Sequence, residues 1–62
     1  MTIVKNDRIV PFDKHTNKLH CMVESCGPMV AKKVTKGYVI ARDRFNDEWK
    51  FSLVAWKLKV IM

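Results

Sequence analysis

Glycine and proline are scarce in this chain, where each occurs twice among 62 residues. Because Gly27 and Gly37 stand well apart, a glycine-rich phosphate-binding loop is excluded. No apolar run approaches the roughly 20 residues that a membrane-spanning helix needs. Charged residues interrupt every apolar stretch of the N-terminal segment, which argues against a signal peptide. We therefore expect a cytoplasmic protein with no membrane partner.

Sulfur and imidazole side chains are few, and they are poorly spaced for a site. In the cytoplasm Cys21 and Cys26 are expected to be reduced thiols rather than a disulfide. With His15 and His20 they form the pattern H-x4-H-C-x4-C, which matches none of the common short-spaced zinc ligand pairs. No further residue is spaced to orient a cysteine–histidine pair as nucleophile and base. We therefore expect no metal site, no cofactor and no enzymatic activity.

Length and charge bound the class of protein. A chain of 62 residues forms one small domain, residues 1–62, near the lower limit at which a hydrophobic core suffices. A partner subunit would add burial, so a homodimer through the C-terminal strand is one expectation. Twelve lysines and arginines against six acidic residues give a formal net charge of +6. This excess favours acidic partners, either nucleic acid or an acidic protein surface.

The N-terminal segment contains two short β-rich runs, TIVK and RIVPF, separated by Asn6-Asp7. Asn and Asp tolerate the left-handed backbone of a tight turn, so the pattern predicts a β-hairpin over these runs. Pro11 lacks a backbone N–H, and it should end the second strand or place that strand at an edge.

An apolar stripe predicts one helix within DKHTNKLHCMVESCGP, residues 13–28. Its members recur at i, i+3, i+4 and i+7 and are Leu19, Met22, Val23 and Cys26. Asp13 or Thr16 is placed to cap the N-terminus of this helix. Gly27 and Pro28 should end it, because Gly adopts the left-handed cap conformation and Pro cannot continue the hydrogen-bond ladder.

β-branched and aromatic residues predict two strands after the helix, Met29–Val34 and Tyr38–Arg42. Residues 35–37 would form the turn between them, and residues 43–47 a polar hairpin loop. An alternative for the first of these runs is a short helix that starts at Pro28.

The last stretch, EWKFSLVAWKLKVI, alternates apolar and polar residues but shifts phase once, near Val54-Ala55. A helix would have to bury two separate apolar stripes here, so the pattern favours one long bent strand, or two joined by a β-bulge. In that arrangement Trp49 and Trp56 face the core. The lysines of the stretch, which are Lys50, Lys57 and Lys59, share its outward face.

These elements predict a small α+β domain of order β-β-α-β-β-β, with one helix on a strongly bent antiparallel sheet. The alternative is an all-β small barrel, in which the middle segment is also strand. The positive charge has no part in this choice, because net charge bears on partners and not on fold.

The basic surface is the main functional signal. We expect a non-enzymatic binding module that contacts nucleic acid, or nucleic-acid-handling machinery, through a lysine-rich sheet face. Tyr38 and Phe45 are candidate stacking or anchoring residues, since an aromatic ring within a polar loop suggests a contact. The predicted binding residues are Lys32, Lys33, Lys36, Tyr38, Arg42, Arg44, Phe45, Lys50, Lys57 and Lys59. The alternative is an inhibitor or adaptor, of the phage or mobile-element type, that docks on a protein through an edge strand or loops.

Overall fold

Five antiparallel strands and one short helix are present in a computed structural model, which describes residues 3–61. The elements are β1 (Arg8–Asp13), α1 (Cys21–Cys26), β2 (Met29–Val34), β3 (Tyr38–Arg42), β4 (Glu48–Ser52) and β5 (Trp56–Ile61). The strands form one sheet in the order β4-β3-β2-β1-β5. The prediction of a small domain built on an antiparallel sheet is confirmed, as are the bounds of β2 and β3, but the structure contains little helix.

The order of elements differs from the prediction at the N-terminus. Residues 3–5 form no strand, and Thr2 lies outside the described residues. The turn itself is present, because Asn6 has a φ of 77° and its amide donates to the Ala31 carbonyl of β2 over 2.7 Å. β5 pairs with β1 along its whole length, and β2 pairs with the opposite edge of β1. β1 thus has no edge left for a hairpin partner, and the predicted N-terminal hairpin is wrong.

β4 and β5 lie at opposite ends of the strand order, yet a short connection joins them. In a flat sheet, four strand spacings of about 4.8 Å would separate them by about 19 Å. The connection is a tight turn in which the Ala55 amide donates to the Ser52 carbonyl over 3.1 Å, and such a turn spans less than about 7 Å. The sheet must therefore bend strongly. Its edges do not pair within the described residues, so the sheet is not closed and the all-β barrel alternative is not supported.

The phase shift near Val54-Ala55 marks this turn and not a β-bulge. Val54 is 84% exposed at the tip of the turn. A three-residue turn and a one-residue bulge both shift the alternation of faces by one, so the pattern alone could not separate them. Glu48–Ser52 and Trp56–Ile61 are two strands at opposite edges, and the prediction of one bent or bulged strand is wrong.

The irregularity in strand pairing lies in β2, where no sequence pattern indicated it. Ala31 is opposite Ala41 of β3, but the next pair is Lys33 opposite Ile40. Lys32 is therefore the extra residue of a bulge. Bulges increase the local twist and bend a strand, so this residue contributes to the curvature that brings β4 toward β5.

Pro11 lies inside β1 rather than at its end, contrary to the prediction. It is opposite Leu58 of β5, and its carbonyl accepts the His20 amide over 3.0 Å. The N–H and C=O of one strand residue point to the same side, so the missing N–H would face His20 and not β5. The pairing of β1 with β5 therefore loses no hydrogen bond at Pro11.

α1 is shorter than predicted and begins at Cys21. Asp13 Oδ1 does accept backbone amides of the residues that follow it, but these bonds stabilise a turn and not a helix. His20 provides the N-cap, since its Nδ1 accepts the Met22 amide over 3.1 Å. Gly27, with a φ of 82°, ends the helix as predicted. No helix in the described part of the chain is long and apolar enough to cross a membrane.

The concave side of the sheet and α1 enclose the core. The buried hydrophobic residues are Ile9, Val23, Met29, Ala31, Val39, Ala41, Phe51 and Leu58. Trp49 and Trp56 are half-buried and pack against this cluster, so both indoles face the core as predicted. In each strand, the residues that alternate with these core residues point outward, because successive strand residues lie on opposite faces.

Candidate nucleic-acid interface

The outward side of the β3–β4 hairpin brings together basic and aromatic side chains. Ile40 lies between two lysines, opposite Lys50 of β4 and opposite Lys33 of β2. Directly opposite residues share a face, and two strand spacings place the Cα atoms of the lysines about 10 Å apart. Tyr38 and Arg42 flank Ile40 on the same side of β3. These five residues are called the hairpin face below.

Lys50 and Tyr38 form a preorganised pair at one end of this face. Lys50 Nζ lies over the phenol ring, 4.5 Å from its centroid. Lys50 of β4 is opposite Ile40 of the neighbouring strand β3, and Tyr38 lies two residues before Ile40. The Lys50 side chain therefore reaches Tyr38 along the diagonal between the two strands. The Thr35 hydroxyl donates to the Tyr38 carbonyl over 2.8 Å and accepts the Tyr38 amide over 3.0 Å. The backbone that carries the ring is therefore fixed at the start of β3.

The loop of residues 43–47 forms the other end of the hairpin and exposes a second such pair. Phe45 is 66% exposed, and Arg44 Cζ lies 5.8 Å from the centroid of its ring. At about 3.3 Å per residue, β3 runs some 13 Å from Tyr38 to Arg42. A cation and an aromatic ring are thus paired at each end of β3.

Asp43 holds this loop in place, and it is 7% exposed. Its Oδ1 accepts the amides of Phe45 and Asp47 over 2.8 Å and 3.0 Å, and its Oδ2 accepts the Trp49 indole N–H over 2.9 Å. The indole bond, helped by the two amides, favours the carboxylate and lowers the pKa of Asp43, while burial opposes this shift. The loop that presents Phe45 is consequently anchored to a residue that packs against the core.

Arg42 is partly neutralised by its neighbours. Its Nη1 donates to Asn46 Oδ1 over 3.0 Å, and its Nη2 lies 3.7 Å from Glu48 Oε2. An exposed ion pair of this kind contributes little to stability. It nevertheless reduces the charge that Arg42 offers to a partner. Of the hairpin face, Lys33 and Lys50 therefore carry the cationic surface.

The other predicted binding residues divide between two places. Lys32 is exposed at the bulge of β2, and Lys36 is exposed in the turn between β2 and β3, so both lie beside the hairpin face. Lys57 and Lys59 belong to β5, at the opposite edge of the sheet from Lys50. The expectation that these three lysines share the outward face of one strand is wrong, because a turn separates β4 from β5.

A second basic surface, called the β1–β5 face, was missed by sequence reasoning. Lys57 is opposite Phe12, Lys59 is opposite Val10, and Arg8 is opposite Ile61. Assigning RIVPF to an N-terminal hairpin separated it from the C-terminal lysines. Its alternation of Arg8, Val10 and Phe12 was the available signal that these side chains share a face.

His20 lies in an aromatic cluster on the core side. Its imidazole centroid is 5.2 Å from Trp49, 5.5 Å from Phe51 and 5.1 Å from Trp56. Burial against these rings lowers the pKa of His20 because it disfavours the charged imidazolium. The ring therefore serves packing and, through Nδ1, the cap of α1.

Metal-ligating and nucleophilic residues do not converge. Residues 3–61 contain no group of three His, Cys, Asp or Glu side chains placed to hold a metal ion. Cys21 is exposed and Cys26 half-buried, and both are free thiols.

Comparison of the chain with protein-family models, curated proteins and solved structures finds no match. The hairpin face is therefore interpreted from its own chemistry.

Proposed function

We propose that the protein is a non-enzymatic module that binds single-stranded nucleic acid on the hairpin face, alone or within nucleic-acid-handling machinery. The observation that carries this proposal is the pairing of a cation with an aromatic ring at both ends of one hairpin. Lys50 lies over Tyr38, and Arg44 lies beside Phe45. A nucleotide offers the complementary groups, which are a planar base for the ring and a phosphate for the cation.

Stacking supplies the preference for unpaired bases. Phe45 is exposed on a loop that Asp43 already orders, so little conformational entropy is lost when a base stacks on the ring. At Tyr38 an incoming base takes the place of Lys50 Nζ over the ring, and the displaced ammonium pairs with the phosphate of that nucleotide. Bases in a duplex have no free faces, so these contacts are confined to single strands.

Electrostatic attraction supplies the sequence-independent part of the affinity. Residues 29–52 contain six basic and three acidic residues, an excess of three positive charges. Two of the three acids are engaged in the hairpin itself, Asp43 in the loop and Glu48 beside Arg42. Each phosphate that a lysine neutralises releases counterions, which makes binding weaken as salt rises.

Fluorescence anisotropy with a short 5′-hydroxyl oligonucleotide tests the proposal. The logarithm of the binding constant should fall with the logarithm of salt concentration, by about 0.7 per phosphate contact on a single strand. Replacing both Lys33 and Lys50 by Gln should reduce this slope by about 1.4, which corresponds to two contacts. The matched control replaces Lys5 and Lys18 by Gln, which removes the same charge outside the hairpin face.

Two results would contradict the proposal. The first is an absence of binding to DNA and RNA strands at low salt. The second is an equal loss of affinity in the two double variants, because that would mean that net charge acts without a defined surface.

A second candidate function is an inhibitor or adaptor that docks on a protein through the loop of residues 43–47 or an edge strand. The specific observation in its favour is Phe45, an exposed aromatic on an ordered loop, which is the type of residue that anchors protein interfaces. Capture from a lysate of the native host, with Phe45→Ala as the control, tests this candidate. A captured partner that is lost with Phe45→Ala and retained with the Lys33 and Lys50 double variant would favour it over nucleic acid.

A further inference from the structure

The β1–β5 face contains a pocket that is not part of the hairpin face. The pocket measures about 400 Å³ and is lined by Phe12, Asn17, Lys57 and Lys59. This volume lies within the range of small-molecule sites in proteins, which begins at about 300 Å³. β2 pairs with β1 only at Met29 and Val30, and the two strands run in opposite directions from there, β2 toward Lys33 and β1 toward Phe12. The pocket and the hairpin face are therefore separate surfaces.

We propose that this pocket binds a nucleoside monophosphate group, with the base against Phe12 and the phosphate between Lys57 and Lys59. The group could belong to a free nucleotide or to the 5′-phosphorylated end of a strand. The proposal does not rest on the function of the hairpin face.

Charge is the first argument for a phosphate. Lys57 and Lys59 are two residues apart on the same side of β5, so their Cα atoms lie about 7 Å apart. Arg8 adds a third cation on the described part of this face, and no acidic residue of β1 or β5 points to it. A terminal phosphate monoester carries a charge of about −1.5 to −2 at neutral pH, which two ammonium groups match better than they match a diester.

The remaining two lining residues suit a nucleoside. Phe12 is directly opposite Lys57, so the apolar ring and the ammonium are adjacent across the strands. The ring is half-buried, and its exposed part is a wall on which a base can stack. A phosphate alone would have no use for this wall.

Asn17 completes the site from the loop that follows β1. Its φ is 58°, and its amide donates to the Asp13 carbonyl over 2.7 Å, so the backbone of the loop is fixed. Within the described residues the Asn17 side chain makes no hydrogen bond to protein. A carboxamide both donates and accepts, so it can pair with the edge of a base or with a ribose hydroxyl.

Titration of ¹⁵N-labelled protein with AMP, adenosine and inorganic phosphate tests the site. AMP should shift the amide signals of Phe12, Asn17, Lys57 and Lys59, and it should bind at least about tenfold more tightly than adenosine or phosphate, since each of these lacks one half of the contacts. Replacing both Lys57 and Lys59 by Gln should weaken AMP binding by about tenfold or more, because charge-assisted bonds are lost. AMP affinity for the pocket is read from these four amides, so contacts of AMP with Tyr38 or Phe45 do not enter it. The control that replaces Lys5 and Lys18 by Gln removes the same charge and should leave this affinity unchanged.

Two further experiments test the contact of Phe12 with the base and the source of the nucleotide. Phe12→Leu keeps an apolar residue in β1 and should reduce the preference for AMP over phosphate, with the dispersion of the spectrum showing that the variant is folded.

Oligonucleotides with a 5′-phosphate or a 5′-hydroxyl distinguish the two sources of the ligand. Tighter binding of the phosphorylated strand, lost when Lys57 and Lys59 are replaced, assigns the site to strand ends. Equal binding of the two strands, with AMP still bound, assigns it to free nucleotides.

The proposal is overturned if AMP at millimolar concentration shifts none of the lining amides. It is also overturned if AMP binds the pocket no better than phosphate does, or if the Lys5 and Lys18 control loses as much AMP affinity as the Lys57 and Lys59 variant. None of these results would affect binding of a 5′-hydroxyl strand to the hairpin face, so the two proposals fail independently.

Discussion

The Trp49 indole N–H donates a 2.9 Å hydrogen bond to Asp43 Oδ2, which connects a residue that packs on the core to the loop that presents Phe45. The same carboxylate accepts two loop amides through Oδ1. The order of the loop therefore depends on one buried carboxylate and one indole. Three substitutions separate their contributions.

Asp43→Ala should loosen the loop, because it removes the acceptor of all three hydrogen bonds. Asp43→Asn should have a smaller effect, since its carbonyl oxygen can still accept the two amides but its NH₂ cannot accept the indole N–H. Hydrogen exchange of the Phe45 and Asp47 amides measures this, with Ala fastest, Asn intermediate and wild type slowest. Equal exchange in all three proteins would show that Asp43 does not order the loop.

Trp49→Phe is the matched control for the indole bond, because it keeps an aromatic ring against the core and removes only the donor. It should raise the pKa of Asp43 toward its ordinary value, since the indole bond is the largest cause that lowers it. Titration of the Asp43 carboxyl carbon by NMR gives this value. An unchanged pKa in Trp49→Phe would contradict the assigned cause.

Acidification should destabilise the fold through His20 in a defined pH window. Burial lowers the pKa of His20 in the folded state, so the unfolded chain binds more protons and the free energy of unfolding falls as pH drops below about 6.5. Protonation of Nδ1 also removes the acceptor that caps α1. Denaturant titrations at pH 7.5 and 5.5 should show lower stability at pH 5.5.

Two histidine variants make this pH dependence specific. His20→Asn keeps a good N-cap residue but cannot titrate, so its stability should change less between the two pH values. His15 is exposed in the turn after β1, and His15→Asn should keep the dependence of wild type. The opposite assignment, with the dependence lost in His15→Asn and kept in His20→Asn, would refute the role of His20.

Two of the three asparagines with positive φ lie where a turn was predicted, at Asn6-Asp7 and in the loop of residues 43–47, whereas Asn17 lies in the segment of residues 13–28 that was predicted as a helix. Asn6, Asn17 and Asn46 have φ values of 77°, 58° and 67°. Asn6→Gly should be tolerated, whereas Asn6→Ala should cost about 1–2 kcal/mol, because a Cβ without a polar side chain disfavours the left-handed region. Thermal unfolding of the two variants compares them directly. Equal melting temperatures would mean that the turn relaxes to a negative φ.

The expected homodimer through β5 stays a prediction, and the lysines of that strand set its salt dependence. Antiparallel pairing of two β5 strands about Leu58 would place Lys57 of one copy opposite Lys59 of the other, and like charges directly opposite destabilise a sheet. Dimerisation should therefore strengthen with salt and in Lys57→Glu. Light scattering measures the mass, and a monomer under every condition would contradict this interface.

The segment from β2 to the loop after β3 could be predicted from sequence because its signals are local. β-branched and aromatic residues define both strands, and Gly37 and Asn46 fall in the turns that bound β3. The ends of the chain could not be predicted in the same way. β1 and β5 are paired across most of the sequence, and nothing local to Pro11 shows that its missing N–H faces away from β5.

The residues of the two candidate sites could likewise be predicted only where their neighbours are close in sequence. Tyr38, Phe45 and Lys50 were identified because they belong to one hairpin, whose register follows from its own loop. Phe12, Asn17 and Arg8 were missed because their neighbours Lys57 and Lys59 lie far along the chain. A three-residue turn shifts the alternation of apolar and polar residues by one, as a bulge does. The pattern therefore could not show that Lys50 lies on a different strand from Lys57 and Lys59.

Mapping the bound strand by NMR tests the central claim most directly. A 5′-hydroxyl single-stranded oligonucleotide, titrated into ¹⁵N-labelled protein at low salt, should shift the amides of Tyr38, Ile40, Phe45 and Lys50 more than those of α1. Phe45→Ala should weaken binding by about 1–3 kcal/mol, the usual contribution of one stacked base, and a duplex of the same sequence should bind more weakly. Shifts that are absent, or that leave the hairpin face untouched, would contradict the account.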